Sequence, residues 1–205
     1  MVIVTVQYNR KMRLKLSVAG VAVWGLLLLG PGGSLAIPQE PVESIYTDLD
    51  AGSCKKEIDK NDPNETPYLV CPGVGGYALI VRRVESGRQS IDIVDPSRRV
   101  FPLDYHEFVT RHMSSLRGRA EWRVATKDGK KIPIGLIVRV QAREDARNPA
   151  KVTRTYIAVA KVTPNEACVT HRIPAGTRSA AKVRRTADLA QKQKCAPPQP
   201  GIADK

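Results

Sequence analysis

Two histidines and a carboxylate fall within seven residues at His106-Glu107 and His112, the side chains of a helical zinc site. Such a site needs imidazoles four apart on one helix face; a spacing of six turns them about 120° away from each other. His112 reads instead as a packed residue among Tyr105, Phe108 and Leu116, His106 faces solvent, and His171 stands alone after Cys168. Ser114-Ser115 beside His112 lack an orienting acid that spacing can place, and no Gly-x-Ser-x-Gly elbow occurs. Asp92, Asp104 and Glu121 offer carboxylates for glycoside hydrolysis, whose mechanism depends on their separation. The plainer reading makes them surface or capping groups. The glycines of Cys71-Pro72-Gly73-Val74-Gly75-Gly76-Tyr77 lead into a strand rather than a helix and end in no Gly-Lys-Ser/Thr, so a turn is expected there and not a phosphate cradle. These residues assemble no catalytic, cofactor or metal set.

Charge is the remaining signal. The chain carries 33 basic against 20 acidic residues, a net +13. Arg178, Lys182, Arg185 and Lys192 recur along one side of a C-terminal helical stretch, and Arg82, Arg83, Arg98, Arg99, Arg117, Arg119 and Arg123 add to the surface. A basic face attracts anionic envelope polymers or lipid head groups through its summed field, and a protein is a further candidate partner. Nucleic acid is a poorer match, because aromatics are 5% of the residues and no stacking motif or recognition helix is evident. The competing reading is a solvated face with no dedicated partner.

The amino terminus bears on where that face would work. Arg10, Lys11, Arg13 and Lys15 precede an apolar run from Leu16 to Leu29, and Ser34-Leu35-Ala36 supplies small residues for cleavage. Residues 1–36 therefore read as a secretory signal, with Met12 an equally good start. The 14-residue run is shorter than a membrane span, so no transmembrane anchor is expected after cleavage. A mature chain from Ile37 has 29 basic and 20 acidic residues, about +9, and is expected to be periplasmic or secreted. Cys54, Cys71, Cys168 and Cys195 are even in number with no CxxC pair, which in an exported chain implies two bridges with three possible connectivities. Proximity favours Cys54–Cys71 and Cys168–Cys195.

The elements that must carry these residues are mostly strands. Ser44 to Leu49, Tyr68 to Cys71, Tyr77 to Glu85, Gln89 to Asp95, Arg119 to Thr126, Lys131 to Arg143 and Lys151 to Val162 read as strands, and Cys168 to Pro174 as a short extended piece. Lys127-Asp128-Gly129-Lys130 is a hairpin signal, and Pro133 places the start of its strand at an edge or bulge. Ala51 to Pro67 reads as a loop. Asp104 with Glu107 resembles a capping box, opening a helix whose face is Tyr105, Phe108, Val109, His112 and Leu116. A second helix over Thr177 to Lys194 presents Ala180, Val183, Ala187 and Ala190. The fold class expected is α+β: a mainly antiparallel sheet of five to seven strands, one covering helix, a C-terminal helix and two disulfides. Residues 37–196 form one domain and 197–205 a disordered tail.

Tyr46-Thr47-Asp48-Leu49-Asp50, the Cys71 to Tyr77 turn, Phe101-Pro102-Leu103-Asp104, Ala120-Glu121-Trp122-Arg123, Leu136-Ile137-Val138-Arg139 and Val159 to Pro164 carry a resemblance. Over residues 44 to 195 the chain resembles a group of small exported bacterial proteins with this motif and four cysteines. The resemblance implies a single domain with two bridges and brings no activity. The function expected is a non-enzymatic exported domain binding an envelope component or protein through its basic face. A cell-envelope hydrolase using sheet carboxylates and a structural accessory module are the alternatives.

Overall fold

The computed structural model describes residues 41–60, 62–84 and 87–200. The expected signal, residues 1–36, lies outside the described residues. Among the described residues eleven strands form two antiparallel sheets, in place of the single sheet of five to seven strands expected from the sequence.

One sheet is a meander: β2 (Lys55–Ile58), β3 (Pro67–Pro72), β4 (Ala78–Val84), β5 (Arg88–Val94) and β6 (Val100–Pro102) pair in chain order. The other runs β1 (Val42–Asp48), β8 (Arg119–Lys127), β9 (Lys130–Arg143), β10 (Arg154–Val162) and β11 (Ala167–Pro174), with β7 (Met113–Leu116) also paired to β9. Alternation decides what each strand buries. Leu79, Val81, Ile91 and Ile93 of the meander meet Trp122, Val124, Leu136, Val138 and Val140 of the larger sheet in one core. Ile137, Ile157, Val159 and Ile173 of the larger sheet point the other way. They pack against Val183 and Ala187 of helix α2 (Ala180–Asp188) and Ala190 of the 3-10 turn that follows. Three layers result: meander, six-stranded sheet, helix.

Glycines act where backbone closes on backbone. A Cβ on Gly73 would lie 2.5 Å from the Tyr77 carbonyl oxygen and 3.0 Å from the Trp122 ring, and one on Gly75 2.5 Å from the Lys131 carbonyl oxygen. The Cys71–Tyr77 turn is thus a structural plug over Trp122. That tryptophan donates to Thr47 Oγ1 at 3.0 Å, and Thr47 donates to the Pro72 carbonyl at 2.7 Å, joining β8, β1 and β3. Cys54–Cys71 and Cys168–Cys195 are the two bridges. They point to an oxidising, extracytoplasmic location, and no described helix is long and apolar enough to cross a membrane.

Several local expectations need correction. The helix expected from Asp104 is one turn, α1 (Tyr105–Phe108); Asp104 takes φ 38° and its side chain caps nothing. The chain turns away because β8 covers only the first part of the fourteen-residue β9, and its exposed edge at Val140–Arg143 takes Met113–Leu116 as a partner. His112 accordingly lies half-buried in the bend before β7 and not on a helical stripe with Leu116. Lys55–Ile58, expected as loop, is strand β2, paired with Pro67–Val70 beside the Cys54–Cys71 bridge. Of the stretch expected as a tail, residues 201–205 lie outside the described residues, and Gln199 donates its backbone N–H to Glu107 O at 2.6 Å and accepts at its carbonyl from Arg111 at 3.1 Å. Pro133 does mark a bulge, since Arg123 pairs with Gly135 and Val124 with Pro133.

Candidate functional site

Helix α2 covers only part of the larger sheet's outer face. It docks where Ile137, Ile157, Val159 and Ile173 demand apolar cover, close enough that a Cβ on Gly135 would stand 2.8 Å from the Ala187 carbonyl oxygen. Beyond the helix the same face turns polar, because the outward positions of β1, β8 and β9 there are Tyr46, Arg119, Glu121 and Arg139. The step between helix and bare sheet is a cleft of about 660 Å³, floored by Ile137 and Ile157 and walled by Ala180 and Val183. Five arginines and one glutamate line it.

Part of this charge cancels within the fold. Arg123, 7% exposed, donates to Asp188 Oδ1 at 2.6 Å, to Ser44 Oγ and to the Val42 carbonyl at 3.3 Å. Glu121 accepts from Ser44 Oγ at 2.6 Å and from Arg184 Nε at 2.5 Å, and Arg184 also donates to the Tyr46 hydroxyl at 3.1 Å. The Glu121 hydrogen bond holds the Arg184 guanidinium still more firmly protonated than usual. Two cations and two anions make this knot neutral, and it ties α2 to β1 and β8.

The other cleft arginines are placed differently. Arg117 and Arg139 are neighbours at the break between β7 and β8, where the Arg117 N–H bonds the Arg139 carbonyl at 3.2 Å. Gly118, at φ 74°, makes the break: two more residues stand on this side of the ladder than on β9 between Leu116–Val140 and Glu121–Ile137. Arg119 follows, stacked 4.6 Å over the Tyr46 ring and 3.9 Å from Asp48. Arg178, just before α2, reaches only Thr186 Oγ1 at 3.4 Å. Among the described residues, Arg117, Arg139 and Arg178 have no carboxylate within ion-pair distance. The positive field is felt nearby: burial first and Arg178 second hold the His171 imidazole below its usual range.

The expected basic stripe is only partly one surface. Arg178, Lys182 and Arg185 border a shallow hollow with Thr177, Thr186 and Leu189 on the solvent side of α2, and Lys192 is exposed on the 3-10 turn. Of the remaining arginines, Arg82 pairs with Asp92, Arg99 with Asp95 and Arg123 with Asp188, so they offer little free charge. Arg117 and Arg119 do enter the cleft; Arg139 and Arg184 join them without having been singled out. The signal for Arg139 was its outward position in the apolar alternation of β9. Arg184 and Glu121 show only in tertiary contact.

The three carboxylates do not gather in one cleft: Asp104 is near enough for its charge to bear on Asp92, while Glu121 stands apart from both. Asp92 is buried on the meander, on the side away from Ile91 and Ile93, against Arg82; Glu121 lies on the helix side of the other sheet. Glu166 with Cys168 and Cys195 is a potential metal-ligating group among the described residues, and its sulfurs are bonded to each other. Comparison with protein-family models, curated proteins and solved structures gives no match.

Proposed function

We propose that the chain is an exported, non-enzymatic binding domain that holds an anionic envelope component or an acidic protein segment in the arginine cleft. The observation that supports this most is the contrast within one face: Arg123 and Arg184 are neutralised by Asp188 and Glu121, while Arg117, Arg139 and Arg178 beside them are not. A volume near 660 Å³ lies in the range of ordinary ligand pockets and gives the site a shape as well as a sign. The hydrolase alternative finds less support, because Asp92 and Glu121 occupy opposite outer faces of the two sheets.

Retention on anionic vesicles and on peptidoglycan, compared at low and high salt, tests the reading. Retention that falls with salt and is lost in Arg117→Glu/Arg139→Glu is expected, since these attractions are screened over about 10 Å at 0.1 M. Salt-insensitive or absent retention of the wild type removes it.

A further inference from the structure

We infer that the cleft reads oxyanion geometry, and that its ligand carries two or more phosphate or carboxylate groups held by the guanidinium forks of Arg117, Arg139 and Arg178. This rests on the proposed anionic partner and goes further, from attraction by net charge to a built site. Three observations carry it.

The first is residue choice. Lysine makes up 14 of the 33 basic residues, yet every cation lining this cleft is arginine. A diffuse basic face has no reason to prefer either. A site for planar or multidentate oxyanions does, since the guanidinium offers paired donors in a rigid plane and the ammonium only a point charge.

The second is a local rule broken without compensation inside the fold. Like charges on adjoining strands destabilise a sheet. Arg139 nevertheless has Arg117 directly beside it and Arg119 just past Gly118, and of the three only Arg119 comes within 4 Å of a carboxylate among the described residues. Such conflicts concentrate where a ligand supplies the missing partner. The bulge that brings these arginines together is itself a common device for re-aiming side chains at a site.

The third is the fixed neighbour. Glu121 is held by Ser44 and Arg184, and Arg184 by Tyr46, so the anionic group of the cleft is already occupied and does not swing across to quench Arg139. The free forks are exposed beside the floor of Ile137 and Ile157, whose side chains offer them no acceptor.

Charge-preserving substitution separates this inference from the broader reading. Binding of pyrophosphate and of citrate to the full exported protein is measured by calorimetry at constant ionic strength, for wild type and for Arg117→Lys/Arg139→Lys. Saturable binding of either probe, weakened tenfold or more in the lysine variant while salt-sensitive retention on anionic vesicles persists, supports the inference; which probe wins distinguishes phosphate from carboxylate chemistry. Equal binding by wild type and lysine variant, or no saturable binding of either probe, overturns it while leaving a general basic face standing. Absence of salt-sensitive retention of the wild type on both vesicles and peptidoglycan, with no saturable binding of either probe, removes both readings. Circular dichroism of the lysine variant confirms that its fold is intact before binding is compared.

Discussion

Asp92 is a carboxylate that the fold holds at a cost. Burial raises its pKa above the usual carboxylate value, Arg82 pulls it back only in part, and Asp104 adds to the rise. The native state therefore binds its proton more tightly than the unfolded chain, so this group's contribution to stability falls as pH rises through the acidic range up to its raised pKa. Asp92→Asn is expected to change stability by less than about 1 kcal/mol at neutral pH and to remove that fall. Arg82→Met strands the buried charge; the loss expected is about 2–3 kcal/mol, the scale of a charged hydrogen bond, since Arg82 itself is one-third exposed. Urea denaturation at pH 4 and 7 checks both, and an Asp92→Asn loss as large as that of Arg82→Met refutes the assignment. Sequence showed that Asp92 and Arg82 belong to neighbouring strands, but not that one hides the other. The contact is a diagonal one, with Arg82 opposite Ser90 and Asp92 opposite Ile80, and it depends on the register of the hairpin, which alternation alone does not fix.

Among elements, period-2 alternation was the dependable signal, because strands with one face in a core must repeat it. β4, β5, β8, β9 and β10 are all near their expected places, and Asp128-Gly129 makes the expected turn with φ of 50° and 72°. The helix after Asp104 failed for a reason local pattern does not carry: an unpaired edge of β9, far along the chain, takes Met113–Leu116. Helix α2 was legible from Val183 and Ala187, although it spans Ala180–Asp188 and not Thr177 to Lys194, and its docking depends on a residue with no side chain. Gly135 has an ordinary strand conformation, so Gly135→Ala probes only the approach of the Ala187 carbonyl. It is expected to cost about 1–3 kcal/mol by overpacking and to loosen α2, read as faster amide exchange over 180–188. Unchanged exchange there means the helix does not rest on the sheet as described.

For the whole molecule, composition and the four cysteines led to both bridges, and outward charge led to a basic surface, but not to the cleft. A cleft exists because α2 stops short of the sheet's polar part, and no single stretch of sequence records where one layer ends over another. The arginines that matter come from β8, β9, the bulge between β7 and β8, and the approach to α2. The four stripe residues were legible because they are close in sequence, which is also why they miss most of the site.

The order of the strands along the chain sets a timetable for assembly. β2 to β6 join neighbour to neighbour within residues 55–102, whereas β1 waits for β8, with Val42 opposite Ala125. Short-range pairings close sooner than long-range ones, so the meander should be organised while the larger sheet still lacks its edge. Cys54 and Cys71 meet inside that early unit, whereas Cys195 is expected to reach Cys168 only once α2 lies on the larger sheet. Acid-trapped intermediates of oxidative refolding should accordingly contain the first bridge alone before any species holds the second alone.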